Sequence, residues 1–500
     1  MKKRKKYSGT NRRLKIMDMI GTNVTIIQIL LSAVALGLLY LVDLLPMKYF
    51  LIVAAIVVLL ILICRLLMKK RIKVIRWVFG MVISVALCVF MVFASVTLAS
   101  VANTLQTISG VSEEVSEIGV YVLADDSAET INDTQEYTFG IMESLLREDS
   151  ESTIAAIEEE LDAELTVIDC GGMTEIADAL LDGTCGAIIF SADYVDMLTD
   201  EDGYEEFDTQ VKELTTYSFT TEIEEAEDDE DGAFIMYMSG IDTTGSVSTK
   251  SRSDVNILAV VNTNTHQVLL LSTPRDYYVE LAYSAADGAY DKLTHAGLYG
   301  VLVSKNTLAN LYDVDIDYYF RTNFTGFEEL IDALGGITVY SEYAFTATKG
   351  GYYYYVGYND LTGAEALSFA RERKAFSSGD IQRGKNQMAV IEAVIDKMLT
   401  TAMLQNFTSI LESVEDCFET NMSYSMITGI VKQQLDEGGD WNVQTYSVSG
   451  TGSSEYTYSG GTRAYVMIPD DDTVEYAKEL IQQVLDGETI SIDDEDTDEE

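Results

Sequence analysis

Three apolar runs near the N-terminus constrain this chain more than any other feature. Val24 to Val42 is the first, interrupted by Gln28 and small polar residues. Tyr49 to Cys64 is the second, and it extends toward Met68 if Arg65 snorkels its guanidinium outward. Trp77 to Ala99 is the third and carries no charge. A helix rises about 1.5 Å per residue, so ~20 residues cross a hydrocarbon core of ~30 Å. Three transmembrane helices are therefore predicted within residues 24–100, at about 24–42, 49–67 and 77–99. Pro46 falls in the tight turn between the first two, where its missing N–H costs least. Three runs with basic residues between them argue against a single cleaved signal peptide.

Charge is divided by these runs. Of the 33 Lys and Arg residues, 15 precede Trp77, beside only Asp18 and Asp43. The remaining 18 face 79 acidic residues, a balance of −61 within a chain whose net charge is −48. Basic residues cluster before the first run, from Lys2 to Lys15, and between the second and third, from Arg65 to Arg76. Only Lys48 lies between the first and second. Basic flanks stay cytoplasmic, so the tail 1–23 is expected inside and everything after Ser100 outside. That describes a multi-pass protein of the plasma membrane with a large extracellular part. An outer region this acidic excludes a grip on nucleic acid, and the short basic segments beside the spans suit the lipid bilayer.

The outer part reads as two domains. Residues 111–225 alternate strand-like and helix-like pieces, which predicts a small α/β accessory domain. Its expected strands are Ile118 to Ala124, Leu165 to Asp169 and Ala187 to Phe190; its expected helices are Thr138 to Arg147, Ser152 to Glu164 and Met173 to Asp182. An almost wholly acidic stretch, Glu222 to Asp231, follows as a solvated linker. The second domain spans 233–487 and is expected to be α/β, a mixed sheet flanked by helices. Asn256 to Val261 and Gln267 to Ser272 flank a polar turn and read as a hairpin. Thr325-Gly-Phe-Glu328 and Thr362-Gly-Ala-Glu365 read as capping boxes, Gly335–Gly336 as a helix stop, and Asp380 as the cap of a helix from Ile381 to Met403. Residues 488–500 are expected to form an acidic, disordered tail. Outside the spans lie Cys170, Cys185 and Cys417, an odd number that is no disulfide framework; Cys170 and Cys185 either bridge or stay as buried thiols. The two histidines are too few for a His-based zinc site.

In so acidic a chain the position of arginine is informative. Arg252, Arg275, Arg371, Arg373 and Arg383 all fall in compact motifs bordered by Gly, Pro and Asp. Arg383 and Gln387 are four apart and share a helix face. Any one of these arginines is most simply an ion-pair partner for a nearby acid. Five together, with forks that match phosphate oxygens, point to a pyrophosphate site. Asp242 and Asp254 flank the same region, and two carboxylates beside phosphate suit Mg²⁺. The tract Gly351 to Tyr355 is either an edge strand or a platform for sugars.

The order of these motifs resembles the LytR-CpsA-Psr family of envelope glycopolymer transferases. The markers are Ser251-Arg-Ser-Asp254, Ser272-Thr-Pro-Arg-Asp276, Asp291-Lys-Leu-Thr-His295, Asn323-Phe-Thr-Gly-Phe327, Asp332-Ala-Leu-Gly-Gly336, Leu361-Thr-Gly-Ala-Glu365, Phe369-Ala-Arg-Glu-Arg373 and Gly379-Asp-Ile-Gln-Arg383. The three spans and the accessory domain further resemble the capsule-type branch. The resemblance implies a phosphotransferase. Its donor would be a polyprenyl-pyrophosphate-linked glycan, its acceptor a hydroxyl of peptidoglycan, and its products a phosphodiester and polyprenyl phosphate. It implies that Arg252, Arg275, Arg371, Arg373, Arg383 and Gln387 hold the pyrophosphate. It further implies that Asp242 and Asp254 hold Mg²⁺ or Mn²⁺, that Asp254 orients or deprotonates the acceptor, and that an apolar slot takes the polyprenyl tail. Many members carry an arginine just before the glutamine, where this chain has Asn386 beside Lys385. Two other readings stand beside transfer: hydrolysis of the same donor, and a non-catalytic lipid- or glycan-binding regulator of envelope assembly.

Overall fold

The computed structural model describes residues 2–69, 74–108, 112–142, 147–227, 232–241, 243, 246–377, 379–400, 410, 413–414 and 417–492. The chain divides into two compact units. One holds residues 1–107 with 404–412 and 424–439; the other holds the rest.

In the first unit the apolar runs form helices Lys2–Leu41, Met47–Leu67 and Val74–Ile108. Over Leu14–Leu41, Met47–Leu67 and Val74–Thr104 they are long and apolar enough to cross a membrane. Gln28, the polar break in the first run, accepts a hydrogen bond from Ser84 Oγ at 2.6 Å, and both side chains are buried. Polar pairs and small residues hold helices together where there is no water to drive them. Gly80 is such a small residue: a Cβ there would fall 2.7 Å from Leu67 Cβ. Helix Tyr424–Glu437 belongs to this unit. Tyr424 donates its hydroxyl to Val42 O at 2.5 Å, Lys432 meets Asp43 at 2.8 Å, and Lys48 pairs with Asp436.

Two larger sheets organise the second unit, beside four two-stranded ones among the described residues. The first orders its strands Thr166–Cys170, Thr138–Met142, Ala187–Phe190, Ser112–Leu123, Val211–Ile223. Thr138–Met142 is a strand where helical spacing predicted a helix to Arg147. It pairs in parallel with a neighbour on each side. Phe139 and Ile141 enter one core layer and Met142 the other, so both faces are buried. A strand buried on both faces lacks the alternation that marks a half-exposed one.

The second sheet is mixed. Its order is Phe418–Thr420, Tyr318–Asn323, Ala233–Ile241, Ser253–Asn262, Gln267–Ser272, Asn442–Ser447. The predicted hairpin is the antiparallel pair Ile257↔Ser272 to Asn262↔Gln267. Helices Val301–Tyr312 and Asp471–Leu485 cover one face through Leu308, Ala477 and Ile481. Helix Asp380–Met398 covers the other, setting Met388, Ile391 and Ile395 against Ile257 and Leu270. Thr362 and Glu365 form the predicted capping box. The preceding helix is capped by Asn323, not Thr325: Asn323 Oδ1 accepts from Gly326 N at 2.8 Å. Gly379 caps Asp380–Met398 with φ +50°, so Asp380 is the first helical residue rather than the cap.

A buried ionic cluster joins the two sheets. Arg321 is 2% exposed and lies 2.6 Å from both Glu114 Oε1 and Glu419 Oε2. Glu114, on the first sheet, also accepts from Val301 N at 2.8 Å. Removing one partner of a buried pair leaves an uncompensated charge, a loss of about 3–5 kcal/mol. Glu114→Ala should therefore lower the thermal unfolding midpoint of the purified full chain clearly, while Glu113→Ala, at an exposed neighbouring site, should leave it within error.

Candidate functional site

The site is built where strands of the mixed sheet end beneath the start of helix Asp380–Met398. Asp254 is the second residue of strand Ser253–Asn262. Arg275 follows the hairpin in the turn after Ser272. Its Nη1 donates to Asp254 Oδ1 at 2.7 Å, and each side chain is under one-fifth exposed. Asp276 lies 3.9 Å from Arg275 Nε and 3.5 Å from Lys292 Nζ. From the helix, Arg383 pairs with Asp380 one turn before it. Arg383 and Gln387, both buried, line the same pocket as Asp254, Arg275, Asp380 and Ser447. Gly384 lets the helix approach, since a Cβ there would lie 2.7 Å from Ser272 Oγ. The pocket's empty volume is about 270 Å³, part of it open to solvent. Its apolar side chains are only Pro274, Ile381 and Val448, so the pocket is not itself the expected apolar slot.

The charges in this pocket are unequal. Burial opposes ionisation of Asp254, but Arg275, Arg383 and Arg252 together hold its carboxyl below the ordinary range. Burial likewise works against Arg275, and Asp254, Asp276 and Asp380 outweigh it, so its guanidinium stays charged. At Asp380 burial wins: the carboxyl is pushed up despite Arg383, and Asp276 adds to the push. One carboxylate is thus kept ionised while its neighbour takes up a proton more readily.

The predicted residues do not all converge. Arg275, Arg383, Gln387 and Asp254 share the pocket. Arg252 instead faces Asp193 and Asp196 of the first sheet's domain, at 3.7 Å from each. Arg371 lies over the Phe324 ring, with Cζ 3.7 Å from its centroid, and Arg373 is exposed; neither lines the pocket. Asp242 lies outside the described residues. Among those described, no group of three or more His, Cys, Asp or Glu side chains could hold a metal ion. Asp254 is the described member of the predicted pair, and carboxylate oxygen is the donor type that Mg²⁺ and Mn²⁺ take. Sequence reasoning took Asp380 as a helix cap and passed over its place in the site. Its spacing to Arg383 and Gln387, three and then four residues on, was the available signal.

A mixed-sheet α/β domain here gathers arginine and carboxylate at its strand ends, in a chain with three helices long and apolar enough to cross a membrane. A family model described as the LytR_cpsA_psr family matches residues 197–480. The chain belongs to the LytR-CpsA-Psr family. It is 33% identical over 222 residues to the polyisoprenyl-teichoic acid–peptidoglycan teichoic acid transferase TagU of Enterococcus faecalis, covering 44% of this chain and 71% of that protein. It is 32% identical over 255 residues to the protein of the same name in Halalkalibacterium halodurans, covering 49% and 78%. The coverage is 65% and 60% for the TagU proteins of Bacillus subtilis and Bacillus licheniformis, so the chain spans somewhat under two thirds of those relatives. The crystal structure of B. subtilis TagV aligns over 52% of this chain and 100% of that one, at 28% identity and a TM-score of 0.45.

The raised carboxyl of Asp380 gives a pH effect with a definite sign. As pH falls, Asp380 takes up its proton before Asp254 and stops neutralising Arg383. Affinity for inorganic pyrophosphate, measured by calorimetry from pH 8 down into the ordinary carboxylate range, should therefore rise in the wild type relative to Asp380→Asn. The gap between the two proteins should be widest at the alkaline end. A constant ratio across that range would contradict the coupling.

Proposed function

We propose that this chain is a phosphotransferase that moves a glycopolymer, of capsular or teichoic-acid type, from a polyprenyl-pyrophosphate carrier to a hydroxyl of peptidoglycan. The convergence of Arg275, Arg383 and Gln387 on the ionised Asp254 carries this reading. Two of the family relatives are named for moving teichoic acid to peptidoglycan. The new bond joins the acceptor oxygen to the phosphorus nearer the sugar. The bond broken runs from that phosphorus to the bridging oxygen, which leaves with polyprenyl phosphate.

The guanidiniums of Arg275 and Arg383 bind the pyrophosphate oxygens and stabilise the charge that shifts between them in transfer. Gln387 donates its amide N–H to the same group. Asp254, held ionised, accepts a hydrogen bond from the incoming hydroxyl and orients it. Asp380, whose proton affinity is raised, is better matched to take the hydroxyl proton. Asp254 would offer carboxylate oxygen to Mg²⁺ or Mn²⁺, and such an ion, when bound, neutralises phosphate charge. The reading rests on neither Arg371 nor Arg373. The distribution of Lys and Arg sets the N-terminus in the cytoplasm and the catalytic domain outside the plasma membrane. Helix Tyr424–Glu437 supports this, because it meets the turn between the first two spans, which the same rule sets outside.

The test is transfer itself. The full chain in lipid nanodiscs is given a synthetic polyprenyl-pyrophosphoryl sugar, Mg²⁺ and peptidoglycan fragments, and products are read by mass spectrometry. A phosphodiester-linked product is expected, falling about a hundredfold or more in Arg275→Ala and in Arg383→Ala. Sugar phosphate released without linkage would favour the hydrolase, and undiminished transfer in both variants would remove the site.

A further inference from the structure

The domain built on the first sheet grips the backbone that leads into Asp254. Val115 donates to Ser248 O and accepts from Lys250 N, both at 2.8 Å. Immediately beyond, Asp193 takes over. It sits in the first turn of helix Ala192–Thr199, and its Oδ1 accepts from Ser251 Oγ at 2.9 Å. The Arg252 Nε lies 3.7 Å from the same Oδ1. One carboxylate thus meets both the Ser251 hydroxyl and the Arg252 guanidinium. Asp196 assists at 3.7 Å from the far end of the fork, but it is 69% exposed where Asp193 is 16%.

Arg252 lies two residues before Asp254, across an irregularity at which Gly240 pairs with Val255 and Ile241 with Ser253. Arg252 is among the cations that hold the Asp254 carboxyl down. Its side chain is only 13% exposed, and its Nε is buried with no hydrogen-bond partner. A guanidinium so enclosed can take only the direction its neighbours allow. Gly297 tightens the arrangement from below, since a Cβ there would fall 2.3 Å from Ser251 O. Joining the two sheets does not require this contact, because the Glu114–Arg321–Glu419 cluster and the Val115 bridge already do so.

We propose that Asp193 is a positioning residue for Arg252, so that the accessory domain completes the pyrophosphate-binding side of the site. The proposal rests on the transferase reading above. It gives the accessory domain a role in donor binding: its first sheet fixes residues 248–250, and Asp193 aims the arginine that follows.

Asp193→Asn separates positioning from simple attachment. The amide oxygen can still accept from Ser251, while the charge facing the guanidinium is lost. Binding of inorganic pyrophosphate to the detergent-solubilised full chain is measured by calorimetry, alongside the unfolding midpoint and the KM and kcat of transfer. Affinity should fall about tenfold, the equivalent of 1.4 kcal/mol. KM for the donor should rise by a similar factor while kcat and the unfolding midpoint hold, and Asp193→Glu should recover most of the affinity. Unchanged binding with a lowered midpoint would make Asp193 only an attachment and overturn the proposal. Tighter binding would show that Asp193 competes with the ligand for Arg252, and would also overturn it. If the wild type binds no pyrophosphate, the transferase reading and this proposal fall together; if the wild type binds and the variant matches it, only this proposal falls.

Discussion

The ion pair between Arg275 and Asp254 sits where burial should make charge expensive, and the rest of the site is arranged around that difficulty. Each partner is under one-fifth exposed. Taking both from water costs several kcal/mol per ion before their attraction returns anything. The pocket meets this by surrounding them with further charge: Arg383 and Arg252 near the carboxylate, Asp276 and Asp380 near the guanidinium. The result is a cluster of alternating sign with surplus donors, and an anion entering it meets guanidinium forks already fixed in place. Such preorganisation lets a site stabilise shifting phosphate charge without first reorienting its own dipoles.

Position in the fold follows from the same requirement. The hairpin Ser253–Ser272 delivers Asp254 at one strand end and Arg275 just past the other, side by side. Helix Asp380–Met398 then adds Arg383 and Gln387 from one face, and its close approach depends on Gly384.

Much of this was legible in the chain, because the signals were local. Apolar length marked the spans, the polar turn after Val261 marked the hairpin, and the spacing of Arg383 to Gln387 put both on one helix face. What escaped depended on contacts that spacing cannot carry. Thr138–Met142 has the apolar content of a helix face and becomes a strand only because neighbours bury both sides. Asn323 outcompeted Thr325 as a cap because it lies at the end of a paired strand. Arg252 is met by a carboxylate 58 residues before Ser251, in another sheet's domain. Arg371 settles over Phe324, a partner that no local pattern links to it.

The central claim is that the phosphates of a lipid-linked donor sit between Arg275 and Arg383, against Asp254. The most direct measurement is a structure of the full chain with a non-hydrolysable polyprenyl-pyrophosphate analogue. The account predicts both phosphoryl groups within hydrogen-bonding distance of Arg275, Arg383 and Gln387, with the sugar-side phosphorus open toward Asp254. Phosphates bound elsewhere, with the Arg275–Asp254 pair and its pocket untouched, would contradict it.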